Sequence, residues 1–146
     1  MKSRISEIMV IDNNELDIML CESVIESIDP ELNIIYSNNA IAAIKLLKAP
    51  GGKLPNIILV DIEMPEMNGW EFYNSVKDLI RSQKRPVMVC ILSSSEKQAD
   101  IETFNNQEIP FFIKKPLTEQ LYLKLKNNYT QYFSKLDWNR EIRTSA

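Results

Sequence analysis

The chain has 146 residues and a formal net charge of −3, so it fits one ordinary domain and offers no basic surface for nucleic acid. No apolar stretch approaches membrane-spanning length and the N-terminus lacks a secretory h-region, so we expect a cytoplasmic protein with no membrane partner. The sequence contains no histidine, which excludes Ser-His-Asp and Cys-His sites, histidine zinc sites and a role as a phosphohistidine carrier.

Hydrophobic periodicity predicts five strands that alternate with five helices. In chain order, these are a strand from Glu7 to Ile11, a helix from Glu15 to Ile28, a strand from Leu32 to Tyr36, a helix that follows Asn38 and Asn39 and runs through Lys48, a strand from Ile57 to Asp61, a helix after Gly69, a strand from Val87 to Leu92, a helix that begins in the Ser93 to Glu96 stretch and runs through about Asn105, a strand from Pro110 to Lys114, and a last helix from near Thr118. Crossovers too long for hairpins indicate a parallel sheet covered on both faces, which is a doubly wound α/β domain.

The helices are expected to bury apolar stripes at helical spacing. The predicted stripes are Leu16, Met19, Leu20, Val24 and Ile28 in the first helix, Ile41, Ile44 and Leu47 in the second, and Phe72, Val76, Leu79 and Ile80 in the third. Nothing breaks the last helix before about Leu136, and its stripe is predicted as Leu117, Leu121, Leu125, Tyr129, Tyr132 or Phe133, and Leu136.

Polar side chains follow four of the five predicted strands: Asp12, Asp61, Ser93 and Lys115. Each alone has a structural explanation, since the segment Asp12-Asn13-Asn14 can cap the first helix and Ser93 the fourth, Asp61 can start a turn and Lys115 can be a solvated lysine. In a doubly wound sheet, however, the carboxyl ends of the strands meet around one crevice. Four such residues at strand ends therefore favour a shared site.

The chemistry that needs this set is phosphoryl transfer to a carboxylate. Asp61 would be the nucleophile, and a magnesium ion held by carboxylates would neutralise the phosphoryl oxygens. The Lys115 ammonium would add a second positive charge, and the Ser93 hydroxyl would donate a hydrogen bond to one oxygen. Catalysis at such a site consists of positioning and charge neutralisation.

These motifs resemble the receiver domain of two-component response regulators, over residues 5 to about 127. The matching segments are Val10-Ile11-Asp12-Asn13-Asn14-Glu15, Leu59-Val60-Asp61-Ile62-Glu63-Met64-Pro65-Glu66-Met67-Asn68-Gly69, Ile91-Leu92-Ser93-Ser94 and Phe112-Ile113-Lys114-Lys115-Pro116. The combination of Asp-x-x-Met-Pro-x-Met-x-Gly with a downstream Lys-Pro is specific.

The resemblance implies a flavodoxin-like (βα)5 fold with strand order 2-1-3-4-5. It also implies that Asp61 accepts a phosphoryl group from the phosphohistidine of a sensor histidine kinase or a histidine phosphotransfer protein. Asp12, Asp61 and the backbone carbonyl of Glu63 would hold Mg²⁺. Such a protein is not an enzyme beyond self-catalysed phosphotransfer and autodephosphorylation.

Asn13 departs from the family pattern, which has a second acid at this position. An amide oxygen can coordinate Mg²⁺ weakly or through water, but it brings no charge, so we expect weaker Mg²⁺ binding and slower phosphorylation. A pseudo-receiver that binds partners without phosphorylation is therefore an alternative. A flavodoxin-like cofactor binder or a haloacid-dehalogenase-like phosphatase is a third interpretation. The loop after the first strand suits the anion of such a cofactor poorly. The phosphatase would need an acid two residues after the nucleophile, which Glu63 supplies only loosely, and it leaves the Met-Pro loop unexplained.

The output of such a domain is expected to be protein binding. By resemblance, Ser93 and Phe112 form the switch, and the surface of helix 4, strand 5 and helix 5 binds a downstream protein. We expect a receiver domain at residues 1–127, an extended helix and frayed tail at 128–146, and no effector domain. The aromatic end of the last helix should pack back on the domain or form a partner or homodimer contact; it comprises Tyr129, Tyr132, Phe133, Leu136 and Trp138.

Overall fold

A computed structural model describes residues 5–94, 98–106, 109 and 111–131. It contains β1 (Glu7–Ile11), α1 (Glu15–Ile28), β2 (Asn33–Ser37), α2 (Ala40–Leu47), β3 (Ile57–Asp61), α3 (Gly69–Arg81), β4 (Met88–Ser93), α4 (Gln98–Asn106) and β5 (Phe111–Lys114), and a final helix, α5, described over residues 119–131. The strands pair in parallel in the order β2-β1-β3-β4-β5. The predicted doubly wound fold and its strand order are confirmed.

Two strands are shifted by one residue from their predicted positions. β2 ends at Ser37 and β4 ends at Ser93, each one residue later than the apolar run suggests. The reason is backbone pairing, because the Ser37 carbonyl accepts a hydrogen bond from the Asp12 N–H and Ser93 pairs with Lys114. Pairing with a neighbouring strand extends each strand past its last apolar residue.

The sheet is covered by one hydrophobic cluster on each face. β3 and β4 are buried along their whole length, as expected for central parallel strands. One cluster joins the sheet to α2 and α3, and the other joins it to α1 and α5. No helix in the described part of the chain is long and apolar enough to cross a membrane.

The predicted buried stripe of α1 is wrong in part, because Val24 and Ile28 are half-buried against the core but Leu20 is exposed. Leu16 and Met19 are each 63% exposed, whereas Ile18, Cys21 and Ile25 face the sheet. Apolar residues occupy most of the circumference of this helix, so periodicity alone does not choose the buried face. Packing against the sheet selects the narrower stripe.

The prediction for α2 is wrong in part, whereas that for α3 holds. In α2 the buried residues are Ala40, Ala43 and Leu47, while Ile44 is half-buried and Ile41 is exposed. Small alanine side chains let the helix backbone approach its neighbours, so the larger isoleucines lie at the edge. In α3, Phe72 and Val76 are buried, and Leu79 and Ile80 pack partly against the same core.

The last helix is anchored in the core by three residues. Tyr122, Leu125 and Tyr129 are at most 1% exposed. The Tyr129 hydroxyl donates a hydrogen bond to the Pro86 carbonyl and accepts one from Asn56 Nδ2, both at 3.1 Å. Tyr129 therefore packs back on the domain; Tyr132, Phe133, Leu136 and Trp138 lie outside the described residues.

Candidate functional site

Three of the predicted site residues meet at the carboxyl edge of the sheet. Asp12 follows β1, Asp61 ends β3 and Lys115 follows β5. Lys115 Nζ lies 2.6 Å from Asp12 Oδ2 and 3.4 Å from Asp61 Oδ1. Because β1 and β3 are neighbours in the sheet, the two carboxylates share one ammonium.

Ser93, the fourth predicted residue, ends β4 at the same edge. It is 1% exposed, and its backbone carbonyl accepts a 2.7 Å hydrogen bond from the Lys115 N–H. The register of β4 and β5 therefore ties the Ser93 and Lys115 backbones together. All four strand-end residues lie at one edge of the sheet, as predicted.

Asp12 is held by the loop that starts α1. Its side chain is fully buried, and its Oδ1 accepts a 3.0 Å hydrogen bond from the Asn14 N–H. Asn14 in turn caps α1, since its side-chain oxygen accepts from the N–H groups of Leu16 and Asp17. Within the segment Asp12-Asn13-Asn14, which the sequence allowed as a cap, Asn14 is the capping residue and Asp12 contacts Lys115.

The loop after Asp61 requires glycine at position 69. A Cβ there would lie 2.7 Å from the Asp61 carbonyl oxygen, and the Gly69 N–H donates to the Ile62 carbonyl at 3.0 Å. Asn68 and Glu71 form a capping box at the start of α3. The loop thus folds back onto the backbone of Asp61 and fixes its position.

The pKa of Asp61 is raised to about 6, chiefly by burial. The charge of Lys115 opposes this rise, the charge of Asp12 adds to it, and hydrogen bonds from Lys115 and the Glu63 backbone oppose it. For Lys115, burial disfavours the charged form, but hydrogen bonds to Asp12 and Asp17 raise its pKa above the ordinary value. The ammonium therefore stays charged, while the ionised Asp61 carboxylate is incompletely compensated. A cation beside it would offset this cost.

The carboxylate pair suits a magnesium ion. Mg²⁺ in proteins is usually held by one or two carboxylates and keeps several waters. Within residues 5–94, 98–106, 109 and 111–131, no three His, Cys, Asp or Glu residues are arranged to hold a metal. Asp12 and Asp61 would thus supply the charged ligands, and ligation by Asn13, whose side chain is exposed, and by the Glu63 carbonyl stays a prediction.

Asp17 is a site residue that sequence reasoning missed. Its Oδ2 lies 2.9 Å from Lys115 Nζ, from the first turn of α1. An acid in the first turn is also what the helix dipole favours, so nothing in the sequence pattern distinguishes it from Glu15. Only the fold brings residues 17 and 115 together.

Phe112 lies on β5 and contacts α4. Its ring centroid is 5.2 Å from that of Phe104, with the planes tilted by 50°. Phe111 and Phe112 pack against opposite hydrophobic clusters, as alternation along a strand predicts. Phe112 therefore joins the strand that leads to Lys115 with the neighbouring helix.

Comparison with known sequences identifies the family. The sequence model of the response regulator receiver domain matches residues 8–126. The chain belongs to this receiver domain family. The polar-differentiation response regulator DivK of Brucella anthropi is 25% identical over 122 residues, which cover 84% of this chain and 94% of DivK.

Solved receiver structures have the same fold. A two-component response regulator from Legionella pneumophila superposes with a TM-score of 0.74 at 26% identity, and the match covers 86% of this chain and 98% of that one. A two-component response regulator from Cytophaga hutchinsonii gives a TM-score of 0.68 at 28% identity, over 87% and 98% of the two chains.

The resemblance predicted from the strand-end motifs is confirmed. Receiver domains are signalling proteins rather than conventional enzymes, and they interact with histidine kinases. Phosphorylation and Mg²⁺ binding are typical of the family.

Proposed function

We propose that this receiver accepts a phosphoryl group on Asp61 from the phosphohistidine of a sensor histidine kinase or a histidine phosphotransfer protein. A carboxylate oxygen of Asp61 forms the new bond to phosphorus as the P–N bond to the histidine breaks, and the imidazole nitrogen keeps the electron pair. The observation that carries the proposal is the Lys115 ammonium, which lies between the buried carboxylates of Asp12 and Asp61.

The roles of the other residues follow from charge. Mg²⁺, when bound, supplies positive charge that neutralises the phosphoryl oxygens. Asp12 and Asp61 hold it, with the Glu63 backbone carbonyl as a further ligand and Asn13 as a weak or water-mediated one. Lys115 stabilises the charge of the transferred group, and the Ser93 hydroxyl donates a hydrogen bond to one of its oxygens.

Intact mass spectrometry tests the acceptor. The native chain, incubated with a small phosphodonor and Mg²⁺, should gain the mass of one phosphoryl group. Asp61→Asn should abolish the gain, whereas Asp78→Asn on the exposed side of α3 should leave it unchanged. A native chain that gains no mass contradicts the proposal.

The second candidate function is a pseudo-receiver, an interaction module that binds its partner without phosphorylation. The observation that favours it is Asn13, an uncharged amide at the position where the family pattern has a second acid. The same mass experiment separates the two candidates. A pseudo-receiver stays unmodified with the native site, and Asn13→Asp would then restore the mass gain.

Phosphorylation is proposed to act through Phe112 and Ser93 on the surface of α4, β5 and α5, where a downstream protein would bind. The ring contact between Phe104 and Phe112 supports this, because a change at β5 alters the packing of α4. Phe112 has no hydroxyl, so its inward and outward states would differ by burial rather than by a hydrogen bond.

Hydrogen exchange tests this switch without a known partner. Phosphorylation should change amide exchange over α4 and β5 in the native chain. Phe112→Ala should remove the change, while Phe111→Ala, which alters packing on the other face of the sheet, should retain it. A response that survives Phe112→Ala would show that this residue is no part of the switch.

A further inference from the structure

Lys115 makes a contact outside the pair of carboxylates that would bind Mg²⁺. Its Nζ lies 2.6 Å from Asp12 Oδ2, 2.9 Å from Asp17 Oδ2 and 3.4 Å from Asp61 Oδ1. An ammonium has three N–H groups, and its two shortest contacts are with Asp12 and Asp17. Of these two, only Asp12 belongs to the proposed cation site.

Both oxygens of Asp12 already have partners. Oδ1 accepts from the Asn14 N–H and Oδ2 accepts from Lys115. A divalent ion that binds Asp12 must therefore share one of these oxygens, and it repels a neighbouring ammonium. The Asn14 N–H cannot move away from Asp12 Oδ1 without disturbing the start of α1. Lys115 is therefore the partner that must move away from Asp12.

Asp17 offers Lys115 a place outside the cation site. It is fixed to the first turn of α1, where its N–H is bonded to the capping Asn14 side chain. Its side chain is 31% exposed, whereas that of Asp12 is 1% exposed, so Asp17 is the more solvated of the two partners of the ammonium. Its carboxylate also restores a negative charge that Asn13 does not supply.

We propose that Asp17 is a positioning residue, which holds the Lys115 ammonium beside Asp61 when a divalent cation occupies Asp12. This inference rests on the proposed phosphoryl-acceptor function and assigns the role to α1. Without Asp17, the ammonium would remain on Asp12 and compete with the cation.

Calorimetric titration with Mg²⁺ tests the inference on the unphosphorylated native chain. Asp17→Asn should weaken Mg²⁺ binding by roughly tenfold, the low end for partners of metal ligands. Glu15→Gln is the matched control, because it removes the same charge from the same helical turn, and in the described part of the chain no hydrogen bond or ion pair joins the exposed Glu15 to Lys115. It should change the affinity by less than about twofold, as expected for a screened surface charge. Asp17→Ala repeats the test without an amide.

A double-mutant cycle shows whether Asp17 acts through Lys115. In the Lys115→Met background, Asp17→Asn should weaken Mg²⁺ binding less than it does in the native background. Equal effects in the two backgrounds, an Asp17→Asn effect no larger than that of Glu15→Gln, or no Mg²⁺ binding by the native chain would each overturn the inference. The phosphoryl mass gain of the native chain decides the proposed function separately.

Discussion

The hydroxyl of Tyr129 provides a quantitative test of how firmly the last helix is joined to the domain. The ring is 1% exposed, and the hydroxyl bridges Asn56 Nδ2 and the Pro86 carbonyl, both at 3.1 Å. Tyr129→Phe keeps the ring but leaves two buried partners unpaired. Each unpaired group costs about 1–3 kcal/mol, so the lower bound for two groups is a loss of about 2 kcal/mol in unfolding free energy.

Tyr122→Phe is the matched control on the same helix. Its ring is equally buried, and its hydroxyl donates to Asp29 Oδ2 at 2.7 Å. The Asp29 side chain is 28% exposed and also pairs with Lys126 at 2.8 Å, so water can replace the lost donor. We expect a smaller loss, about 1 kcal/mol.

Urea unfolding of the two variants measures these losses as shifts in midpoint at constant m-value. Tyr129→Phe should be the less stable of the two. If it is as stable as Tyr122→Phe, or within about 0.5 kcal/mol of the native chain, the buried bridge to Asn56 and Pro86 does not stabilise the fold as argued.

Four further predictions concern the site and the C-terminal helix. The pKa of Asp61 is raised from 3.8 to about 6, so ionisation of this carboxyl group disfavours the folded state. Its contribution to the free energy of unfolding is most favourable below about pH 4. That contribution falls by up to about 3 kcal/mol as the pH rises to about 6, and it stays constant at higher pH. Asp61→Asn should therefore be more stable than the native chain at pH 7 without Mg²⁺. If the urea midpoints of the variant and of the native chain depend on pH in the same way, this prediction is refuted. Gly69→Ala should cost about 1–3 kcal/mol by the same urea assay, because its Cβ would lie 2.7 Å from the Asp61 carbonyl; a neutral effect would show that the loop is free to shift. Asn13→Asp should tighten Mg²⁺ binding, followed by Trp70 fluorescence or calorimetry, and no gain would mean that charge at position 13 does not limit affinity. Truncation after Asn128 removes the buried Tyr129 side chain and should cost about 3–5 kcal/mol, whereas truncation after Gln131 keeps that side chain and should cost less. If the second truncation converts a dimer to a monomer in sedimentation, the segment beyond Gln131 forms a dimer contact.

Local sequence pattern was enough to predict the order of elements and the position of the site. Apolar runs such as Ile57 to Val60 mark buried strands, and in a parallel sheet the carboxyl ends must lie at one edge. Asp12, Asp61, Ser93 and Lys115 could therefore be assigned to one place before any contact was known. The absence of histidine limited the chemistry at that place to oxygen ligands and an ammonium.

The tertiary structure decided which side chains touch. The contact between Asp17 and Lys115 spans 98 positions and the bridge between Asn56 and Tyr129 spans 73, so neither leaves a trace in local periodicity. The buried face of α1 was also undetermined, because its apolar residues surround the helix and only the sheet selects Ile18, Cys21 and Ile25. Periodicity reports the geometry of one element, whereas burial and ion pairing depend on the neighbours that the fold supplies.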